Sequence, residues 1–203
     1  MHPNRAFHWE DRAAMRALVD GVGFGALFAA TPDGPRVAHV PVVWLDDETL
    51  GLHIARGNAV QRHLDGATAL FSAQGPDGYV SPDWYVPDAD QAPTWNYVAV
   101  ELEGVVRHMD RDALVDQIDR LSAANEAKLE KPAWTRAKMD PRKFDAMLNA
   151  IVGYRLEITA WRGTLKLGQH KPEAARLAVA DALDAAGRRA IAHWMRNART
   201  DRA

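Results

Sequence analysis

The run Leu52-His53-Ile54-Ala55-Arg56-Gly57-Asn58-Ala59 passes from a strand end into a short helix that Asn58 can cap, a pattern suited to holding an anion. Unpaired amides and the dipole at a helix start favour phosphate, Gly57 lets the backbone approach closely, and Arg56 can fork onto two phosphate oxygens. The same residues also read as a capped helix with Arg56 in a surface ion pair. A second cluster is Arg36-Val37-Ala38-His39-Val40-Pro41, where a proline interrupts a strand and implies an edge or a bulge. Such a break frees neighbouring N–H and C=O groups for the edge of a heterocycle, although a lone histidine such as His39 is more often a satisfied core histidine. A third, Lys166 with Gln169, His170 and Lys171, gathers positive charge and an amide where the last strand ends. It suits a phosphate, or the O2 and N1 edge of a flavin, and otherwise is a solvated turn.

Aromatic residues surround these clusters. Gly78-Tyr79-Val80-Ser81-Pro82-Asp83-Trp84-Tyr85 is followed closely by Pro93-Thr94-Trp95-Asn96-Tyr97-Val98-Ala99-Val100. Pro82, Pro87 and Pro93 fix a stiff path around Trp84, Tyr85, Trp95 and Tyr97, as a wall for a planar ligand would require. Any one of these rings could instead simply fill a core.

Several chemistries are excluded. With no cysteine, disulfides, thiolate metal sites and a cysteine nucleophile are absent. The eight histidines form no H-E-x-x-H pattern, and no Gly-x-Ser-x-Gly, phosphate-binding P-loop or dinucleotide fingerprint occurs. A formal net charge of −2 gives no global field for nucleic acid, so an anion must be held locally. Arg188, Arg189, Arg196, Arg199 and Arg202 make a basic C-terminal helix, which reads as dipole compensation on a solvated face. Charged residues break the first thirty positions, and Gly21 to Ala30 is about half a membrane span, so a cytoplasmic protein is expected.

The elements that must position these residues follow from periodicity. Asp11 to Asp20 is helical and ends at Gly21 and Gly23. Phe24 to Ala30, Arg36 to Trp44 and Leu50 to Ala55 form a meander, then a short helix spans Ala59 to Leu64. Strands are expected over Ala67 to Ala73 and Asn96 to Arg107. Asp110 and the Asp140-Pro141 pair open two helices. Two further strands, Val152 to Thr159 and Trp161 to Leu167, precede helices from Glu173, broken near Gly187. Lacking βαβ regularity, this is an α+β, mainly β chain: an antiparallel barrel with peripheral helices. One domain over residues 1–172 carries a helical extension, 173–203.

Both tryptophan motifs, His53-Ile54-Ala55-Arg56-Gly57-Asn58 and Lys166-Leu167-Gly168-Gln169 resemble the PaiB-like FMN-binding negative transcriptional regulators, over about Pro3 to Leu177. The resemblance implies a split β-barrel of the FMN-binding type, a homodimer, and FMN held non-covalently at the subunit interface. It puts Arg56, Asn58 and Ala59 at the FMN phosphate and His39, Val40 and Pro41 along the isoalloxazine. Trp95 and Asn96, from the same or the partner subunit, and Lys166 with Gln169 complete the pocket. Gly168 and His170 replace a serine and an asparagine of the family's Lys-Leu-Ser-Gln-Asn pattern, which removes those two side-chain contacts from the expectation. The implied function is FMN-dependent regulation of transcription. The alternatives are an FMN-dependent oxidoreductase or flavin reductase acting on a small molecule, and a haem protein ligated by His170 or His193. DNA and a small-molecule substrate are further partners of these readings, and no helix-turn-helix pattern supports the first.

Overall fold

The computed structural model describes residues 2–85 and 90–198. Pro87, Arg199 and Arg202 lie outside them. Among the described residues five α-helices accompany seven strands in the order β1-β7-β4-β3-β2-β5-β6, and a further β7–β6 pairing closes the ring. The strands are β1 (His8–Trp9), β2 (Phe24–Thr31), β3 (Gly34–Trp44), β4 (Thr49–Ala55), β5 (Thr68–Val80), β6 (Thr94–His108) and β7 (Ile151–Lys166); the helices are α1 (Arg12–Val22), α2 (Arg111–Glu126), α3 (Pro141–Leu148), α4 (Glu173–Ala185) and α5 (Arg189–Arg196). This is the expected antiparallel split β-barrel with peripheral helices. Two departures are informative. β7 is one continuous strand where a pair was expected, and β5 runs on through Val80 into the aromatic segment expected to be irregular.

The chain forms two compact units. The barrel unit comprises residues 16–73 and 101–161. Its hairpin β2–β3 turns through Pro32-Asp33 onto Gly34, whose φ of 97° is a conformation that glycine adopts without strain. β3 continues into β4, and β4 pairs along its length with β7, from Thr49 opposite Glu157 to Ala55 opposite Ile151. Leu27, Leu50, Leu52, Phe71, Leu102 and Leu156 point inward and are fully buried. Where β6 meets β7 the backbones touch: a Cβ on Gly104 would lie 2.2 Å from the Glu157 carbonyl oxygen. Asp110 caps α2 through the Ala113 amide (2.9 Å), and Asp140 caps α3 through that of Lys143 (2.9 Å), both as their sequence positions imply.

The helical unit comprises residues 1–15, 74–100 and 162–203. β1 pairs with the end of β7, a two-residue strand with no sequence signal of its own. α4 and α5 pack on each other, and Leu183 and Ile191 close over Gly78, so this glycine admits the helices to the end of β5. Among the described residues no helix is long and apolar enough to cross a membrane.

Candidate functional site

In the barrel unit the β3–β4 ladder stops at Val42 opposite Leu52, while β3 goes on pairing with β2 through Pro41 and beyond. The cause is Pro41. Val42 donates to the Gly23 carbonyl on the β2 side (3.0 Å), so by strand alternation the odd-numbered residues turn their backbone groups toward β4. Val43 pairs there with Gly51. The next such position is Pro41, which has no N–H to donate. Beyond it, the His39 N–H and C=O and the Pro41 C=O face an unpaired edge. The His39 ring is exposed and stacks on Phe24, centroids 6.5 Å apart at 14°. Val40 alone points into the core, 1% exposed, so it can meet a ligand only through its backbone.

β4 exits into the Arg56 segment. Arg56 anchors there by its own backbone, its amide donating to Ala150 O at 2.8 Å, and by its guanidinium, Nε to Asn149 O (2.9 Å) and Nη2 to Ile151 O (3.1 Å). It is therefore a cation fixed by carbonyls, and among the described residues it makes no ion pair. Asn58 caps the 3₁₀ turn Ala59–His63 by accepting from the Val60 amide at 3.1 Å, and a Cβ on Gly57 would meet nothing within 4 Å. The turn packs against β2 and β3 and is tied down by Tyr154, whose hydroxyl donates to Gln61 O at 2.8 Å. Burial, then the nearby Asp65, holds that phenol above its ordinary pKa, so it stays a donor. Gln117, which the sequence did not single out, is fully buried, and among the described residues neither of its amide atoms nor His53 Nδ1 has a hydrogen-bond partner. Burial pushes the His53 imidazole down from its usual pKa, so it is neutral near pH 7.

In the helical unit Trp95 and Asn96 point to opposite faces of β6. Trp95 is 47% exposed, donates Nε1–H to Asp77 at 3.1 Å, and meets Tyr79 edge-on at 6.1 Å. Asn96 is buried, with its Nδ2 on the sulfur of Met195 at 3.3 Å. The aromatic wall thus divides: Trp95 and Tyr79 are exposed, Trp84 and Tyr97 are half-buried, and Tyr85 is a core residue.

Lys166 is half-buried, donates to Thr94 Oγ1 at 2.6 Å and makes no ion pair among the described residues; burial lowers its pKa. Gln169 is spent on backbone groups: Oε1 accepts from the Leu167 amide at 2.9 Å, and Nε2 donates to Ala6 O at 3.0 Å and to Leu165 O at 2.5 Å. Gly168 has φ 76°, where serine would be strained, which accounts for glycine at that position. His170 packs edge-on against Phe7 at 5.2 Å, and burial, then Lys171 and Lys166, hold its pKa low. Lys171 adds its ammonium over the Tyr85 ring at 5.5 Å. The expected cationic cluster is therefore present, with Lys166 as an ammonium that makes no ion pair among the described residues.

The sequence reading missed an apolar face. Phe24, Phe28 and Val37 are 51%, 43% and 43% exposed, and the registers Phe24–Pro41, Ala26–His39 and Phe28–Val37 put them on one side of the β2–β3 hairpin. The signal was there: large apolar residues at alternate positions opposite the buried Leu27 and Ala29. In the described part of the expected basic C-terminal helix, Arg196 pairs with Asp181 and Asp184 of α4 at 2.8 Å each.

Residues 1–160 match the family model described as "Putative FMN-binding domain". The protease synthase and sporulation protein PAI 2 of Bacillus subtilis is 27% identical over 155 residues, 74% of this chain and 73% of that protein. Among solved structures, a FAD and heme binding protein from Mycobacterium smegmatis superposes with a TM-score of 0.55 at 21% identity, covering 78% of this chain and 73% of the other. A flavocytochrome from Azotobacter vinelandii gives 0.56 at 15% identity, covering 81% and 72%. A conserved hypothetical protein from Mycobacterium tuberculosis gives 0.59 at 18%, covering 85% and 94%. These structural likenesses establish the barrel fold, and the match across residues 1–160 establishes the family. The chain belongs to the PaiB-like FMN-binding family, and FMN is its cofactor.

Proposed function

We propose that this protein is a PaiB-type negative transcriptional regulator that works as a cytoplasmic homodimer with FMN held non-covalently at the subunit interface. The observation that carries the reading is the ladder break at Pro41, which leaves a free backbone edge on the strand against which the Asn58-capped turn packs. The edge suits the carbonyl and imide groups of an isoalloxazine, and the turn suits a phosphate. Arg56, Asn58 and Ala59 take the phosphate; His39, Val40 and Pro41 line the ring, Val40 through its main chain. Trp95 offers a flat apolar surface, and Lys166 offers a partly desolvated cation to the ring edge that becomes electron-rich on reduction. Asn96 and Gln169 serve by position, Asn96 through β6 and Gln169 by fixing the loop that follows Lys166. FMN, when bound, supplies reversible redox chemistry that no side chain here provides.

The apolar face of Phe24, Phe28 and Val37 supports the dimer, because solvent-exposed phenylalanines clustered on one sheet face favour burial against a second copy. The name of the Bacillus relative, tied to protease synthesis and sporulation, supports a regulatory role over a metabolic one. The packing of α4 and α5 onto β5 supports treating residues 173–203 as an extension of the same FMN-binding domain. A fluorescence-quenching titration with FMN, combined with molar mass in solution, tests the reading: one FMN per chain and a dimer mass are expected, and a monomer indifferent to FMN refutes it. Salt-sensitive retention of one promoter fragment over others tests the regulatory role, and steady oxidation of a reduced nicotinamide would transfer the reading to an oxidoreductase.

A further inference from the structure

The segment between α2 and α3, residues 127–140, has no buried residue, yet it is fastened in place. The Trp134 amide donates to Glu126 Oε2 at 2.8 Å, Lys138 Nζ donates to Ala133 O at 2.8 Å, and Lys128 Nζ reaches Asp20 O at 3.2 Å. The fastened segment and the two helices enclose a cleft of about 950 Å³ within the barrel unit. Its apolar surface comes from Val115 and Ala123 on α2, Trp134 and Met139 on the segment, and Phe144 and Leu148 on α3. Trp134 remains 37% exposed, so its indole is held at the cleft without being covered.

Four of the charges around the cleft are committed to one another, and the Asp112 carboxylate lines it besides. Arg111 pairs with Asp145 at 2.7 Å and also holds Asn149 Oδ1 at 3.1 Å. Arg136 forks onto Asp119, Nη2 at 2.9 Å and Nε at 3.1 Å, and lies over the Phe144 ring at 5.1 Å. Neither guanidinium is left for an anion, so a dianionic phosphate has no counter-charge here. What remains open to a ligand is an indole, a phenyl face, a thioether, the Ser122 and Thr135 hydroxyls and the Asp112 carboxylate. The volume is at the upper end of that of small-molecule pockets, and none of the residues assigned to FMN lines it.

We propose that this cleft is a second ligand site, separate from the flavin residues, for an aromatic molecule of two or three rings carrying one hydrogen-bond donor and no negative charge. The ligand stacks on Trp134 and Phe144 and donates its hydrogen bond to an acceptor on α2, the Asp112 carboxylate or the Ser122 hydroxyl.

The test uses 1-naphthol as the probe, titrated by calorimetry into the full chain saturated with FMN. One saturable site per chain is expected. Trp134→Ala, a change at an exposed residue, should weaken it about tenfold by loss of one ring face. Ala123→Trp, which fills the cleft from an exposed position on α2, should abolish it while FMN affinity and Tm stay at the parent values. Absence of saturable binding in the parent overturns the proposal, as does equal affinity in parent and Trp134→Ala. Displacement of the probe by raising FMN from limiting to excess would assign it to the flavin site and also overturn the proposal. None of these outcomes counts against FMN binding, so failure here is distinguishable from failure of the flavin reading.

Discussion

Replacing Arg56 tests the phosphate assignment most directly, because its geometry separates what the side chain does for the fold from what it can do for a ligand. Two of its donors are already used, Nε by Asn149 O and Nη2 by Ile151 O, which leaves Nη1 as the free donor end of a guanidinium that backbone carbonyls hold still. A hydrogen bond to a charged group contributes roughly 1.5–3 kcal/mol, and the exposure of Arg56 argues for the lower end. Arg56→Ala should therefore weaken FMN binding about tenfold, and by no more than roughly 150-fold. Riboflavin lacks the phosphate, so its affinity should barely move. The same quenching titration run with both flavins gives the ratio of affinities, and that ratio is the diagnostic quantity. Losing the two carbonyl contacts also costs stability, on the order of 1 kcal/mol, which appears in Tm and affects both flavins equally. Arg56→Lys keeps the charge but loses the carbonyl-held fork, and should fall between parent and alanine. A ratio of FMN to riboflavin affinity unchanged in Arg56→Ala would remove this residue from the phosphate site, whatever happened to overall binding.

Three further outcomes are expected. His53 is held neutral by burial, so its folded pKa lies below the unfolded one; as pH falls through about 6.5 the unfolded chain takes up a proton that the folded chain refuses, and stability declines. Urea denaturation from pH 7.5 to 5.5 should show the parent losing more than His53→Gln, by at most about 1.4 kcal/mol per pH unit, and parallel curves would count against it. His170 shifts in the same direction, which is why the difference between parent and variant is the measured quantity. Gly104→Ala brings a methyl to 2.2 Å from a backbone oxygen that cannot swing away, so a loss of at least roughly 2–3 kcal/mol is expected, read as a fall in Tm; a variant as stable as the parent would show that the closure of β6 on β7 is looser than described. Phe28→Glu puts a carboxylate on the apolar hairpin face opposite Val37 and should give a monomer by light scattering with FMN affinity reduced, whereas a dimer with unaltered FMN binding would place the subunit interface elsewhere.

The elements were legible wherever a local signal had a local cause. Asp110 and Asp140 announce two helices because a cap needs only a carboxylate and an amide three residues on, and both bonds form. Pro41 announces a ladder break because the missing N–H belongs to the residue itself. β1 and the continuity of β7 were not legible. A two-residue strand has no period, and Ala160 between two β-branched runs looks like a corner until β4, β1 and β6 are all seen to pair along that one strand.

The candidate site divides along the same line, as the Lys166-Leu167-Gly168-Gln169 motif makes plain. In sequence its members look equivalent, each a polar or permissive residue at the end of a strand. In the fold Leu167 is core, and Gly168 supplies a left-handed turn. Gln169 spends its whole amide on Leu165, Leu167 and Ala6, the last from the far end of the chain. Only Lys166 keeps a charged group with no carboxylate partner. No spacing rule could have assigned those parts, because the acceptor that claims Gln169 is more than 160 positions away in sequence. The distinction carries a consequence for mutation: Gln169→Ala should disturb the loop and lower Tm, while Lys166→Met, close in shape and without charge, should leave Tm nearly unchanged and act on the flavin alone. If instead Lys166→Met destabilised the protein and left the reduction potential of bound FMN where it was, its ammonium would be a structural group and the flavin-edge assignment would pass to Lys171.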